Sequence, residues 1–149
     1  MEQTSDTDNH IIQIFNLTGV KLPIKREVIY QLISKIEAGE SVSYEMLELV
    51  YIDEDEIIKI NKQYLDKDYI TDIITFRYDE DVNGSNIEGT LYCCASRIME
   101  QAKEFETSAE IEFYRVFIHG LLHLAGYQDN SRTEKYQMTE RENHYLATL

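Results

Sequence analysis

The sequence predicts a mixed domain, α+β or α/β, with its elements in the order β-α-β-α-β-β-α-α-α. Three observations carry that prediction. Apolar residues recur at helical spacing in some windows and as short β-rich runs in others. Capping side chains stand at the starts of several helical windows. The strand-like runs fall before residue 95, and the rest of the chain reads as helix.

Residues 11–15 form the first expected strand. Residues 25–37 place Val28, Ile29, Leu32, Ile33 and Ile36 on one stripe, an amphipathic helix that follows Pro23. A strand is expected over 46–51. Asp53 then reads as an N-cap, with Glu56 three residues on, for a helix to about residue 64. Residues 71–78 are β-rich, and Asn83-Gly84 marks a loop before a further strand over 89–94. Helices resume over 96–105. Thr107 with Glu110 reads as a capping box for the next helix, and Ser131 with Glu134 repeats the pattern for a C-terminal one.

No internal repeat, low-complexity tract or Pro/Gly linker interrupts this order. At 149 residues and 43% hydrophobic, the chain reads as a single domain over 1–149. Residues 1–9 read as a frayed lead-in, polar and acidic, without the basic start and apolar stretch of a secretory signal. No apolar run reaches the roughly 18 residues of a membrane span. Cys93 and Cys94 are adjacent and so point to opposite faces of a strand. They make neither a disulfide framework nor a ligand pair, which fits a reducing cytoplasm. A net charge of −14 counts against indiscriminate nucleic-acid binding. A local basic cleft is still expected, drawing on Lys25, Arg26 and Lys35 with Arg77 or Arg97.

The chemistry concentrates in His119-Gly120-Leu121-Leu122-His123-Leu124-Ala125-Gly126-Tyr127-Gln128-Asp129. Histidines four apart project from one face of a helix, about one turn apart. Gly126 can end that helix in a left-handed conformation, and Asp129 follows where a third ligand could close on the same ion. Three protein ligands leave a fourth position for water, as in catalytic zinc sites. Two readings stand: a zinc site on His119, His123 and Asp129, or a hydrogen-bonded polar cluster, since the helix is apolar on nearly every side. Gly120 costs about 1 kcal/mol relative to alanine inside a helix, so it implies close approach of another group. It also stands where a zinc-protease helix would carry its glutamate base.

These residues resemble the YbeY family of bacterial rRNA maturation factors, described as metal-dependent endoribonucleases, whose motif is approximately HGxLHLxGYDH. The stretch His119 to Tyr127 follows it position by position. A second family segment, NxxYRxxDxxTDVLSF, is similar to the stretch from Asn61 to Phe76, and Gly89-Thr90-Leu91 resembles the family's Gly-Asp-Ile strand. The resemblance implies a zincin-like α+β fold, a small mixed sheet packed by helices, with zinc at the histidine helix. Three departures stand out. Asp129 takes the place of the family's third histidine, with Gln128 in place of its aspartate. Leu65 replaces the arginine, the natural partner for a phosphate. Thr90 replaces the strand's aspartate.

The resemblance implies a zinc-dependent endoribonuclease acting in rRNA maturation and ribosome assembly. Its partners would be rRNA and ribosomal components, with neither DNA nor a membrane expected. No catalytic base is assigned; Asp72 is the nearest candidate, and a turn or strand cap is its plainer role. Two other readings compete. One is a non-catalytic assembly factor with a structural metal, favoured by the missing arginine and base. The other is a small metalloprotease, which shares the histidine spacing but lacks the glutamate.

Overall fold

The computed structural model describes residues 11–79 and 86–149. The lead-in expected at 1–9 and the Asn83-Gly84 loop lie outside the described residues. The elements are β1 (Ile12–Asn16), α1 (Arg26–Glu40), β2 (Ser43–Ile52), α2 (Glu54–Leu65), β3 (Ile73–Arg77), β4 (Asn86–Cys94), α3 (Ala95–Glu104), α4 (Ala109–Leu124) and α5 (Arg132–Leu146). Their order is the one the sequence predicts, and the α+β class with a small mixed sheet packed by helices is the one observed. The strands pair in the order β1-β2-β4-β3. The first three run parallel, and β3 lies antiparallel on the outer edge beside β4.

Alternation along each strand divides the core in two. Leu47, Leu49 and Tyr51 of β2 and Ile87, Leu91 and Cys93 of β4 join the large cluster formed with α1, α3, α4 and α5. Val50, Ile52, Ile74 and Cys94 face the other way and meet Ile57 of α2. The adjacent cysteines therefore lie on opposite faces, both free and buried. The stripe on α1 is buried through Ile29, Leu32, Ile33 and Ile36. Each such side chain contributes about 1.5–3 kcal/mol relative to exposure.

Asp53 caps α2 by accepting from the Glu56 amide, and Ser131 with Glu134 makes the reciprocal box on α5. One cap differs from expectation. Ser108, not Thr107, accepts from the Ile111 amide at the start of α4. Thr107 is committed to the preceding helix, where its amide closes back on the Ala102 carbonyl at 2.9 Å.

The histidine helix α4 sits close under β3 and β4. Its glycine makes this possible: a Cβ on Gly120 would run into the side chains of Leu91 and Ile73. Gly89 answers it from β4, where a Cβ would meet Leu124 at 3.0 Å. Arg77 then ties the edge strand to the end of the helix, donating Nη1 to the Leu124 carbonyl at 2.9 Å. Asp79 fixes that guanidinium through two hydrogen bonds of 2.8 and 2.9 Å, and Arg77 in turn holds the Asp79 carboxyl down to a pKa of about 2. The Tyr44 hydroxyl donates to the Leu121 carbonyl at 2.6 Å from within the core. The last turn of α4 is thereby held from two sides.

Gly120→Ala tests this fit. Helix propensity alone would favour alanine by about 1 kcal/mol. Overpacking against Leu91 and Ile73 should outweigh it and lower stability by about 1–3 kcal/mol. Urea unfolding of the two proteins measures the difference, and a stabilised variant would contradict the packing.

Candidate metal centre

The end of α4 builds the site. The Tyr127 amide bonds the Leu122 carbonyl and the Gly126 amide bonds the His123 carbonyl, each at 3.0 Å. This is the paired 6→1 and 5→2 arrangement of a Schellman stop, with Gly126 at φ +112° as the residue that reverses the chain. The reversal sends residues 127–129 back past the face that carries both histidines.

Asp129 Oδ2 lies 3.5 Å from His119 Nε2 and 3.4 Å from His123 Nε2. These distances exceed the roughly 2.7–2.9 Å of a charge-assisted hydrogen bond. They match the separation of two ligands on one tetrahedral zinc, about 3.3–3.4 Å for bonds of 2.0–2.1 Å. The three residues offer ligand atoms all within 4.8 Å of one another. The imidazoles meet edge-on at 4.5 Å between centroids and are about a quarter exposed, at 23% and 25%, so a substrate atom can reach them.

The other ring nitrogens are also committed. His123 Nδ1 stands 2.9 Å from the Tyr127 carbonyl oxygen, which can only accept, so Nδ1 donates and Nε2 is the nitrogen that faces Asp129. His119 Nδ1 donates to Glu142 Oε2 at 2.6 Å. Carboxylate or carbonyl partners of this kind orient metal-bound histidines and raise their basicity. The donor set therefore fits a divalent ion with nitrogen and oxygen ligands.

Further carboxylates surround it. Burial disfavours the charged form of His119, yet the Glu142 hydrogen bond and the charges of Glu142, Asp72 and Asp129 outweigh that and raise its pKa. Glu142 is held in turn by Arg115 Nη1 at 3.3 Å. Gln101 donates to both Asp72 Oδ2 and the buried Glu112 Oε2 at 3.2 Å, and burial is the main cause that raises the Glu112 pKa. Tyr127 is anchored by donating its hydroxyl to Glu40 Oε1 at 2.8 Å, while Arg141 and Tyr145 hold the other oxygen of Glu40.

The structure thus brings together His119, His123 and Asp129. Asp72 borders the site but is outside the convergent group. His144 is exposed on α5 with its ring against Tyr145. Thr90 lies on the sheet face turned away from α4, where its hydroxyl donates to Glu48 at 2.8 Å, so that departure does not touch the site. Leu65 stands exposed at the end of α2. Three of the five residues expected to line a basic cleft are held by local partners. Arg77 pairs with Asp79, Arg97 with Glu100 and Glu104, and Lys35 reaches the Thr148 carbonyl, because carboxylates and carbonyls on each element claim them first. Sequence reasoning missed Glu142 and Glu40. Glu142 lies 23 residues beyond His119, and only the packing of α5 on α4 brings the two together.

The sequence model of the family described as Endoribonuclease YbeY matches residues 16–149. A relative from Chloroherpeton thalassium is 40% identical over 130 residues, covering 87% of this chain and 90% of its own. One from Chlorobium luteolum is 38% identical over 138 residues, covering 93% and 97%. Both carry the name Endoribonuclease YbeY. Among solved structures, the solution structure of TM1509 from Thermotoga maritima matches with a TM-score of 0.57 and 29% identity, over 91% of this chain and 86% of that one.

Glu142→Gln is the sharpest probe of the arrangement around the ligands. It keeps the size of the side chain but weakens the acceptor on His119 Nδ1. Zinc affinity, read by competition with a coloured chelator, should fall about ten- to hundred-fold. Unchanged affinity would mean that Glu142 does not orient a ligand.

Proposed function

The chain belongs to the Endoribonuclease YbeY family, and on that premise we propose that it is a zinc-dependent endoribonuclease of rRNA maturation and ribosome assembly, working in the cytoplasm. His119, His123 and Asp129 hold the zinc. The observation that carries this reading is the convergence of both Nε2 atoms on Asp129 Oδ2 while both Nδ1 positions are taken. When bound, zinc supplies Lewis acidity, which polarises a phosphoryl oxygen and makes water a nucleophile near neutral pH.

The chain's own residues supply position. Glu142 and the Tyr127 carbonyl fix the two imidazoles, and Glu40 fixes Tyr127. The partial exposure of the histidines leaves one side of the site open to a phosphodiester. Asp72, steadied by Gln101 and felt electrostatically at His119, is the candidate to accept a proton from the attacking water. A metalloprotease is the poorest reading, because Gly120 occupies the place of the base and packs against Leu91 and Ile73. Among the described residues no helix is long and apolar enough to cross a membrane.

One observation favours the assembly-factor reading. Leu65 presents an exposed apolar side chain where the family segment has an arginine, so phosphate recognition there is lost. Incubating a defined single-stranded rRNA fragment with zinc-loaded protein separates the two. Wild type should cut the RNA and leave DNA of the same sequence intact, and the His119→Ala, His123→Ala double variant should cut neither. Equal cleavage by both proteins would overturn the assignment. Binding to ribosomal particles without cleavage by either would support the assembly factor.

A further inference from the structure

An acidic chain that handles RNA needs a surface where phosphate repulsion is not the dominant force. With a net charge of −14 and its arginines largely paired, field attraction is a poor candidate for grip. Stacking on aromatic rings is the alternative, since every base has a π-face.

The end of α2 and the turn after it carry such rings. Tyr64 is 60% exposed and Tyr69 53% exposed, with Ile70 and Leu65 between and beside them. Tyr64 is nevertheless fixed at its base. Its ring meets Phe76 edge-on at 5.4 Å, and Phe76 meets Tyr92 edge-on at 5.9 Å.

Tyr69 is held by its backbone. The buried Asn61 accepts the Lys67 amide on its carbonyl at 3.2 Å and donates its side-chain amide to the Tyr69 carbonyl at 2.9 Å. One asparagine thus clamps both ends of the turn, which Asp66 enters at φ +55°. Lys67 sits 6.0 Å from the centroid of the Tyr69 ring. Lys62 and Lys67 offset Asp66 and Asp68, so this surface is close to neutral on a strongly acidic protein. The same turn runs on through Thr71 to Asp72, whose Oδ2 accepts from Gln101 Nε2 at 3.2 Å.

We propose that Tyr64 and Tyr69, with Lys67, form a stacking platform for the unpaired bases of single-stranded RNA. The inference rests on reading the chain as an RNA hydrolase and assigns how substrate is gripped where the family's arginine is missing. Two rings held in advance bind bases with little ordering cost, and the sequence tolerance of stacking predicts weak base preference.

The test measures binding separately from cleavage. Fluorescence anisotropy with a labelled oligoadenylate of about ten nucleotides, checked on a gel to be intact, reads the affinity of the full-length protein. Tyr64→Ala with Tyr69→Ala should weaken binding about tenfold or more, whereas Tyr64→Phe with Tyr69→Phe should bind as wild type does. An abasic oligonucleotide of equal length should bind wild type no better than it binds the alanine variant. Zinc content and the circular dichroism spectrum should match across all variants. Unchanged affinity in the alanine variant, wild-type binding of the abasic strand as tight as that of the oligoadenylate, or no binding by wild type would each overturn the platform. If wild type still cuts RNA in any of those cases, the platform fails and the hydrolase reading stands. If the alanine substitutions shift sedimentation from dimer to monomer without altering RNA affinity, the rings belong to a contact between copies of the chain.

Discussion

The turn at Gly126 is the constraint on which the site depends. Two histidines on a helix make half of a metal site, and the other half must come from chain that doubles back within a few residues. The Schellman stop does this with two backbone hydrogen bonds and one positive φ, which a glycine adopts without the steric cost a Cβ would impose. The same reversal does a second job. It turns the Tyr127 carbonyl onto His123 Nδ1, so the turn that delivers Asp129 also fixes the ring that Asp129 faces. The hydroxyl of Tyr127, held by Glu40, carries the geometry back to α1. A local helix end is thereby coupled to elements distant in sequence.

Electrostatics favours a cation at the proposed site. Asp129, Glu142 and Asp72 all raise the His119 pKa, and Glu112 is buried nearby with an elevated pKa of its own. Gathering carboxylates around two imidazoles is costly without compensating positive charge. Arg115 supplies some of it, through Glu142 and at 3.7 Å from Glu112. A divalent ion at the convergence of the two Nε2 atoms and Asp129 would supply the rest, on the open side where substrate arrives. The charge surplus elsewhere explains why basic side chains are held by local partners and why the RNA-facing surface is better sought among rings than among lysines.

Most of the fold was legible because local signals agreed with global packing. The α1 stripe, the Asp53 cap and the Ser131–Glu134 box each predicted an element that exists. Boundaries were less legible. Strand β2 runs from Ser43 rather than 46, and β4 begins at Asn86, since pairing with a neighbour extends a strand past its apolar run. Three turns at helix ends use Ser41, Asp66 and Glu106 at positive φ, where no glycine announces the stop. The convergence of His119, His123 and Asp129 was legible because their spacing is local. Glu142 and Glu40 were not, because contacts between α5, α4 and α1 leave no periodic trace. The partners of Arg77 and Arg97 were illegible for a related reason: a sequence shows where cations are but not which carboxylates reach them.

The central claim is that one ion is held jointly by His119, His123 and Asp129. X-ray absorption at the zinc edge on zinc-loaded full-length protein tests it most directly. The account predicts two imidazole nitrogens and light oxygen ligands at about 2.0–2.1 Å, with one imidazole lost in His123→Ala and one oxygen ligand changed in Asp129→Ala. Sulfur ligation by Cys93 or Cys94, or a spectrum that neither substitution alters, would contradict it.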